Sequence, residues 1–411
     1  MAAAARLSPI VTLFLIVLAV PFVFNLGPLR FSVYRFVLFL GVLPFLVMWL
    51  TGQAGRIRMP DIALLVFSLW AMMSYGVIHG PGMAFDSGGI VLVETMGAYL
   101  LGRIFVRTPD VLYKVVRVLF WIVVILMPLA VIESVTKRDI VLELSRAIYK
   151  SYSIMTMDPR WGLRRAQSLF EHPILFGVFC SSMVGMTYFV LGHGRSLLRR
   201  LLQTGAVFVA AGTSLSSGPL TAMVVQVLLI GWDGILRSVR QRWVVLGSLA
   251  LAGFVFVSLV SNRSPAQILI SFVAFNKSSA WNRLRIWEHG SASVMNNPLF
   301  GIGRNDWERP MGMVSSIDMF WLLPAMRHGL LAGVLLQVAF FGIFLAVLFR
   351  KGLNDRWSDY RTGYLISLLG LYVAGWTVHY WNTVYVLLMF LLGCGICFLT
   401  ETREEIGRAH V

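Results

Sequence analysis

Long apolar runs separated by short polar stretches organise this chain. Runs near 9–26, 31–50, 61–78, 89–106, 112–132, 173–191, 199–213, 218–236, 243–260, 318–349, 362–379 and 381–399 are each apolar enough to read as a helix. A helix needs about 20 mainly apolar residues to cross a bilayer. The pattern therefore predicts an all-α, polytopic membrane helical bundle of about twelve transmembrane helices, with both termini on one side. The stretch 318–349 is long enough to tilt or kink at Pro324. Two longer polar segments, 133–171 and 261–317, are predicted as loops carrying short helices. The first opens with apolar Ile140, Leu144, Ala147 and Ile148 at helical spacing, which predicts an amphipathic helix lying in the headgroup layer over 140–155.

Composition agrees with this pattern. Of 411 residues, 58% are hydrophobic and 13% charged, and mean hydropathy is +0.77; a soluble chain carries about a quarter charged residues. That balance excludes a cytosolic enzyme or a secreted domain. The net charge of +16 resembles a nucleic-acid signature only until the charges are placed. They fall in short connections such as Arg56 and Arg58, Arg195–Arg200, Arg237–Arg242 and Arg350–Arg361, so no nucleic-acid partner is expected. The alternate connections near 79–88, 213–218 and 379–381 hold no Lys or Arg. By the positive-inside rule the arginine-rich connections and both termini are cytoplasmic, and 133–171 and 261–317 are external. No cleavable leader is expected at the first run. The last residues, 405–411, resemble a translated sequencing adapter, so 1–399 is taken as the membrane domain and 400–411 as a tail.

Candidate chemistry concentrates in the two outer loops. Arg160, Arg164, Arg165, Glu171 and His172 crowd the start of one span, where charges are costly unless they line a cavity or bind something. The second loop carries Trp281-Asn-Arg283-Leu-Arg285-Ile-Trp287-Glu288-His289, then Gly301-Ile-Gly303-Arg304. On a helix Arg285 meets Glu288 and His289 one turn on and reads as paired, whereas Arg283 meets Trp287 and reads as the better ligand. The Gly301–Gly303 pair reads as a tight turn. Asp318 reads either as a helix N-cap or as a base at the membrane edge. Cys394 and Cys397 lie within an apolar run and read as packing. Glu94 has no evident partner, and His79, His379, Tyr380 and Trp381 read as loop or interfacial residues. Neither a carboxylate pair nor a histidine cluster stands at metal-ligand spacing, so no metal or cofactor is expected.

Four stretches carry a family resemblance. Arg165-Ala-Gln-Ser-Leu-Phe-Glu-His172-Pro, Thr213-Ser-Leu-Ser-Ser-Gly-Pro-Leu, Arg283-Leu-Arg-Ile-Trp287 with Asn297-Pro-Leu-Phe-Gly-Ile-Gly303, and Ser316-Ile-Asp318-Met-Phe-Trp with Gly329 occur in one order. Together they resemble the O-antigen ligase and polysaccharide polymerase superfamily. The resemblance implies metal-independent transfer of glycan from a polyprenyl-diphosphate carrier to a glycan acceptor at the periplasmic face of the bacterial inner membrane, with a chain-length regulator as a possible partner. Ligases carry a His-Asn pair where this chain has Asp318-Met319, and many relatives carry an arginine in the serine-rich turn. The polymerase branch therefore fits better than the ligase branch, and a lipid-linked sugar transporter stays open as a reading of another class. For such a transfer Arg283, Arg165 and Arg164, then Arg304, Arg285 and Arg327, are the candidates for holding the diphosphate, because a guanidinium binds phosphate bidentately. Asp318 is the leading base, with His172 and Glu171 as alternatives.

Overall fold

Proline sets where many of the helices begin. It occupies the first or second position of the helices starting at Pro9, Met59, Pro81, Pro109, Pro173 and Leu323. There its missing N–H costs nothing and its fixed φ suits the helix. A computed structural model describes residues 6–27, 29–262, 267–268 and 277–400. All but the first residue of the predicted tail 400–411, with its adapter-like 405–411, and part of the loop 261–317, including Arg263, lie outside the described residues.

In chain order the elements are α1 (Pro9–Val17), a hairpin of β1 (Val23–Leu26) and β2 (Leu29–Ser32), α2 (Val33–Leu50), α3 (Met59–His79), α4 (Pro81–Phe105), α5 (Pro109–Thr136), α6 (Ile140–Ile148), α7 (Pro173–Leu191), α8 (Leu197–Thr213), α9 (Ser217–Ile235), α10 (Arg242–Val260), α11 (Lys277–Asn296), α12 (Leu323–His328), α13 (Leu330–Leu348), α14 (Asp355–Gly375) and α15 (Asn382–Cys394). The chain is mostly helical. Among the described residues eight helices are long and apolar enough to cross a membrane: α2, α3, α4, α5, α7, α9, α10 and α13. Of the other runs, α8 has 17 residues, α14 begins in the polar stretch DRWSDYRTG, and α15 with its 3-10 extension ends at Phe398.

Three expectations are corrected. The run 9–26 is not one helix: α1 has nine residues, roughly 14 Å at 1.5 Å per residue, against a hydrocarbon core of about 30 Å. The chain then turns into the hairpin, with Val23 opposite Ser32, the one departure from an all-α fold among the described residues. The amphipathic helix ends at Ile148 rather than Met155, because the next residues are drawn out alongside the hairpin: Val23 donates to the Lys150 carbonyl (2.9 Å) and Tyr152 to that of Pro21 (3.2 Å). The run 318–349 breaks at Gly329, not Pro324, which merely starts α12. Gly329 has φ +85°, and a Cβ there would lie 1.9 Å from the Leu299 carbonyl oxygen. Only glycine lets the 298–303 turn press against the break.

A single ionic cluster is sunk into the bundle at the end opposite these loops. Arg103 donates to both carboxylate oxygens of Asp61 (2.8 Å each) and to the Ala54 and Arg56 carbonyls. Asp61 also accepts from Trp49, Tyr99 and the Arg58 amide. Both side chains are essentially excluded from solvent, at 1% and 0% exposure, so every donor and lone pair must find a partner inside. The cluster locks the α2–α3 connection onto α4. Removing one partner leaves an uncompensated buried charge: Arg103→Ala should cost roughly 3–5 kcal/mol, measured as a fall in the thermal unfolding midpoint of the purified protein, with a much smaller fall for the exposed Arg138→Ala.

Candidate functional site

A sharp corner between α8 and α9 gathers the arginines of the first loop. Leu215 has φ +46°, and the small residues around it let α9 start tight against the turn after α14: a Cβ on Gly218 would lie 2.6 Å from Val378. Three guanidiniums close on three consecutive residues of this corner. Arg160 donates to the Leu215 carbonyl (2.7 Å), Arg165 to the Ser216 hydroxyl (2.8 Å) and Arg283 to the Ser217 hydroxyl (2.7 Å), with a second bond from Arg283 to the Thr377 carbonyl (3.1 Å). Arg165 and Arg283 are buried, yet Nε of the first and Nη1 of the second have no partner among the described residues. Burial, with Arg160 nearby, pulls the pKa of each down to about 10, and Asp318 works the other way on Arg283. The corner is thus a concentration of positive charge that its own acids do not neutralise.

Two cavities adjoin at this end of the bundle. One, of about 470 Å³, is lined by His172, Ser316, Asp318, Arg327, His379 and Trp381 among others. The second, of about 510 Å³, is lined by Arg30, Arg35, Glu94, Arg304, Arg327 and Tyr385 among others. Leu323, Arg327, His379 and Trp381 line both and form the shared wall. Among the described residues the side chains of Arg30, Arg304 and Arg327 make no hydrogen bond or ion pair, so three guanidiniums are available to an anion here.

Asp318 lies four residues before the N-cap of α12 and therefore caps no helix. Burial raises its pKa, and Arg283 partly offsets this. A carboxylate held above its ordinary pKa is a stronger base once ionised. His172 is the N-cap of α7, its Nδ1 accepting from the Ile174 amide (3.1 Å). Burial and the nearby Arg165 push its pKa down to about 4. With Nδ1 accepting, the neutral ring carries its proton on Nε2 and presents a donor, not a base. Glu171 accepts from the Trp381 indole (3.0 Å) and the Asn382 amide. Asn382 in turn accepts from Arg35 (2.9 Å), which also pairs with Glu94 (2.7 Å). Glu94 therefore has the partner that local sequence does not reveal, and Glu171 positions the 381–382 turn that walls both cavities.

The remaining candidates separate cleanly. Arg164 pairs with Glu133 (3.2 Å) and the Met155 carbonyl, fastening the loop, and lines neither cavity. Arg285 makes no ion pair with Glu288, contrary to the helical-spacing expectation, and also lines neither. Arg304 faces the larger cavity while its amide donates to His79 (2.9 Å), so His79 and His379 belong to the site's framework rather than to bare loops. Sequence reasoning places Arg30 and Arg35 beside the second span without a role and passes over Asn382, because Arg35 and Asn382 find their partners far along the chain. Cys394 and Cys397 are buried free thiols, and among the described residues no three His, Cys, Asp or Glu side chains cluster as metal ligands.

Comparison of the chain with protein-family models and with curated proteins gave no match.

The cap assigned to His172 can be separated from any chemistry. His172→Ala should lower the thermal unfolding midpoint by the loss of about 1 kcal/mol, whereas His172→Asn, which supplies another capping acceptor, should restore most of it. Equal losses in both variants would remove the capping role.

Proposed function

We propose that this protein polymerises polyprenyl-diphosphate-linked oligosaccharide repeats, transferring glycan without a metal at the periplasmic face of the bacterial inner membrane. The observation that carries the reading is the shared wall. Arg327, whose side chain has no hydrogen-bond or ion-pair partner among the described residues, stands between a cavity holding Asp318 and His172 and a cavity holding Arg30 and Arg304. Breaking the bond between sugar and diphosphate leaves negative charge on the departing group, and preorganised guanidiniums stabilise it. In this reading Arg327 and Arg304 hold the diphosphate, and the cationic corner of Arg160, Arg165 and Arg283 adds a fixed positive field behind Asp318.

The chemistry is a displacement at the anomeric carbon. The acceptor hydroxyl oxygen attacks, its proton passes to the Asp318 carboxylate, and the carbon–oxygen bond to the lipid diphosphate breaks with the electron pair leaving on the phosphate oxygen. His172, as an Nε2–H donor, suits a sugar hydroxyl. A groove of about 390 Å³ lined by Trp287, Trp321, Leu322, Val334, Phe341 and Trp376 backs onto the shared wall through the segment 320–325 and suits the isoprenoid tail. Asp318, where ligases carry histidine, favours polymerase over transfer to lipid A core. Cavities gathered at one end of the bundle suit surface chemistry better than transport, where sites sit near the bilayer midplane. The reading takes the arginine-rich connections opposite the cavities as cytoplasmic.

The test is a gel of products from purified protein given a lipid-linked repeat as sole substrate. A ladder is expected, with Asp318→Asn reducing turnover by about 10²–10⁴-fold and Arg327→Ala by about 10²–10³-fold. Because the base form of Asp318 is needed and its pKa is raised, turnover should fall as pH drops through that raised value and level off above it. No ladder, but transfer on adding lipid A core, would make the enzyme a ligase. A ladder undiminished in Asp318→Asn would remove the assigned base.

A further inference from the structure

At the end of the bundle away from the cavities, α10 stands apart from its neighbours. It is apolar throughout and none of its 19 residues is buried within the fold. Between it and the bundle runs a groove of about 300 Å³, walled by Trp243 and Leu246 of α10, Phe344 and Leu348 of α13, and Leu365 and Leu369 of α14. One charged group faces this apolar slot. Arg361 donates to the Arg350 carbonyl (2.6 Å) and the Ser358 hydroxyl (3.4 Å), both neutral, and among the described residues no carboxylate pairs with it. At the same end Arg242, the first residue of α10, is held by Asp233 (2.7 Å). Arg237 and Arg240 are exposed in the connection just before it.

We propose that this groove is a site for an anionic phospholipid, with an acyl chain between α10, α13 and α14 and the phosphate on Arg361. The charge pattern selects this occupant. A slot that is apolar along its length and cationic at its polar end complements an amphiphile with an anionic head, and a guanidinium binds phosphate through paired donors. Within a bilayer the tail gains nothing by leaving other tails, since lipid is as apolar as leucine. Preference over bulk lipid must therefore come from the headgroup at Arg361, so it depends on head charge and salt rather than on tail length. The lipid would fill the gap that leaves α10 without a packed neighbour. The site is independent of the transfer reaction and stands or falls apart from it.

The experiment is native mass spectrometry of the full chain, delipidated in detergent and then exposed to mixed micelles of equimolar phosphatidylglycerol and phosphatidylcholine. Phosphatidylglycerol should be retained about tenfold over phosphatidylcholine, whose choline cation offsets the phosphate charge that Arg361 attracts, and the excess should shrink in high salt. Arg361→Gln keeps an amide donor for the Arg350 carbonyl and should abolish the preference. Gly247→Leu projects into the groove, where a Cβ meets nothing within 4 Å, and should expel the lipid. Equal retention of the two lipids by the unaltered protein would overturn the proposal, as would unchanged retention of phosphatidylglycerol in either variant. A dimer that replaces bound lipid and is lost in Gly247→Leu would assign the groove to a second copy instead.

Discussion

Three arginines meeting at three consecutive residues, Leu215, Ser216 and Ser217, form the interaction on which the cavity end of the bundle depends. A guanidinium carries five N–H donors and cannot shed its charge, so drawing it out of water requires acceptors close by. The corner between α8 and α9 supplies one hydroxyl to each of two guanidiniums and a carbonyl to the third. Arg160 and Arg165 come from one loop and Arg283 from another, and the corner therefore gathers both loops over the same helix ends. The supply is incomplete: among the described residues a buried N–H on Arg165 and another on Arg283 stay unpaired.

The two ends of the bundle handle charge in opposite ways. Around Arg103 and Asp61 every strong donor is matched by a carboxylate or carbonyl, and the cluster acts as a fastener. Around the cavities the matched network of Glu171, Asn382, Arg35 and Glu94 fixes the wall, while among the described residues the side chains of Arg30, Arg304 and Arg327 make no hydrogen bond or ion pair. Preorganised positive groups beside a rigid frame need no reorganisation when negative charge develops, the condition under which electrostatics lowers a barrier most.

Much of the bundle is legible in the chain because span length and proline position act locally. The runs 31–50, 112–132 and 243–260 correspond to helices of nearly the same bounds. The run 9–26 misleads because an apolar stretch is equally at home in a helix or a half-buried hairpin, and pairing with 149–152 decides for the latter. The break at Gly329 is hidden for a related reason: a proline advertises a kink, whereas a glycine matters only through the Leu299 carbonyl that packs on it. Loop arginines could be picked out as a class but not sorted by role. Arg283 and Arg165, favoured from spacing and motif, face the serine corner, while Arg327 and Arg304, ranked lower, face the cavities. Their sorting depends on contacts across more than fifty residues of sequence, such as Arg165 with Ser216 and Arg283 with Thr377.

The central claim is that the shared wall around Arg327 is where diphosphate and base meet. Electron cryomicroscopy of the protein in nanodiscs with a non-cleavable phosphonate analogue of the lipid-linked repeat tests it most directly. The account predicts phosphorus density within hydrogen-bonding reach of Arg327 and the first sugar beside Asp318. Density for the analogue at the bundle's midplane, or at the opposite end near Arg361 with the cavities empty, would contradict it.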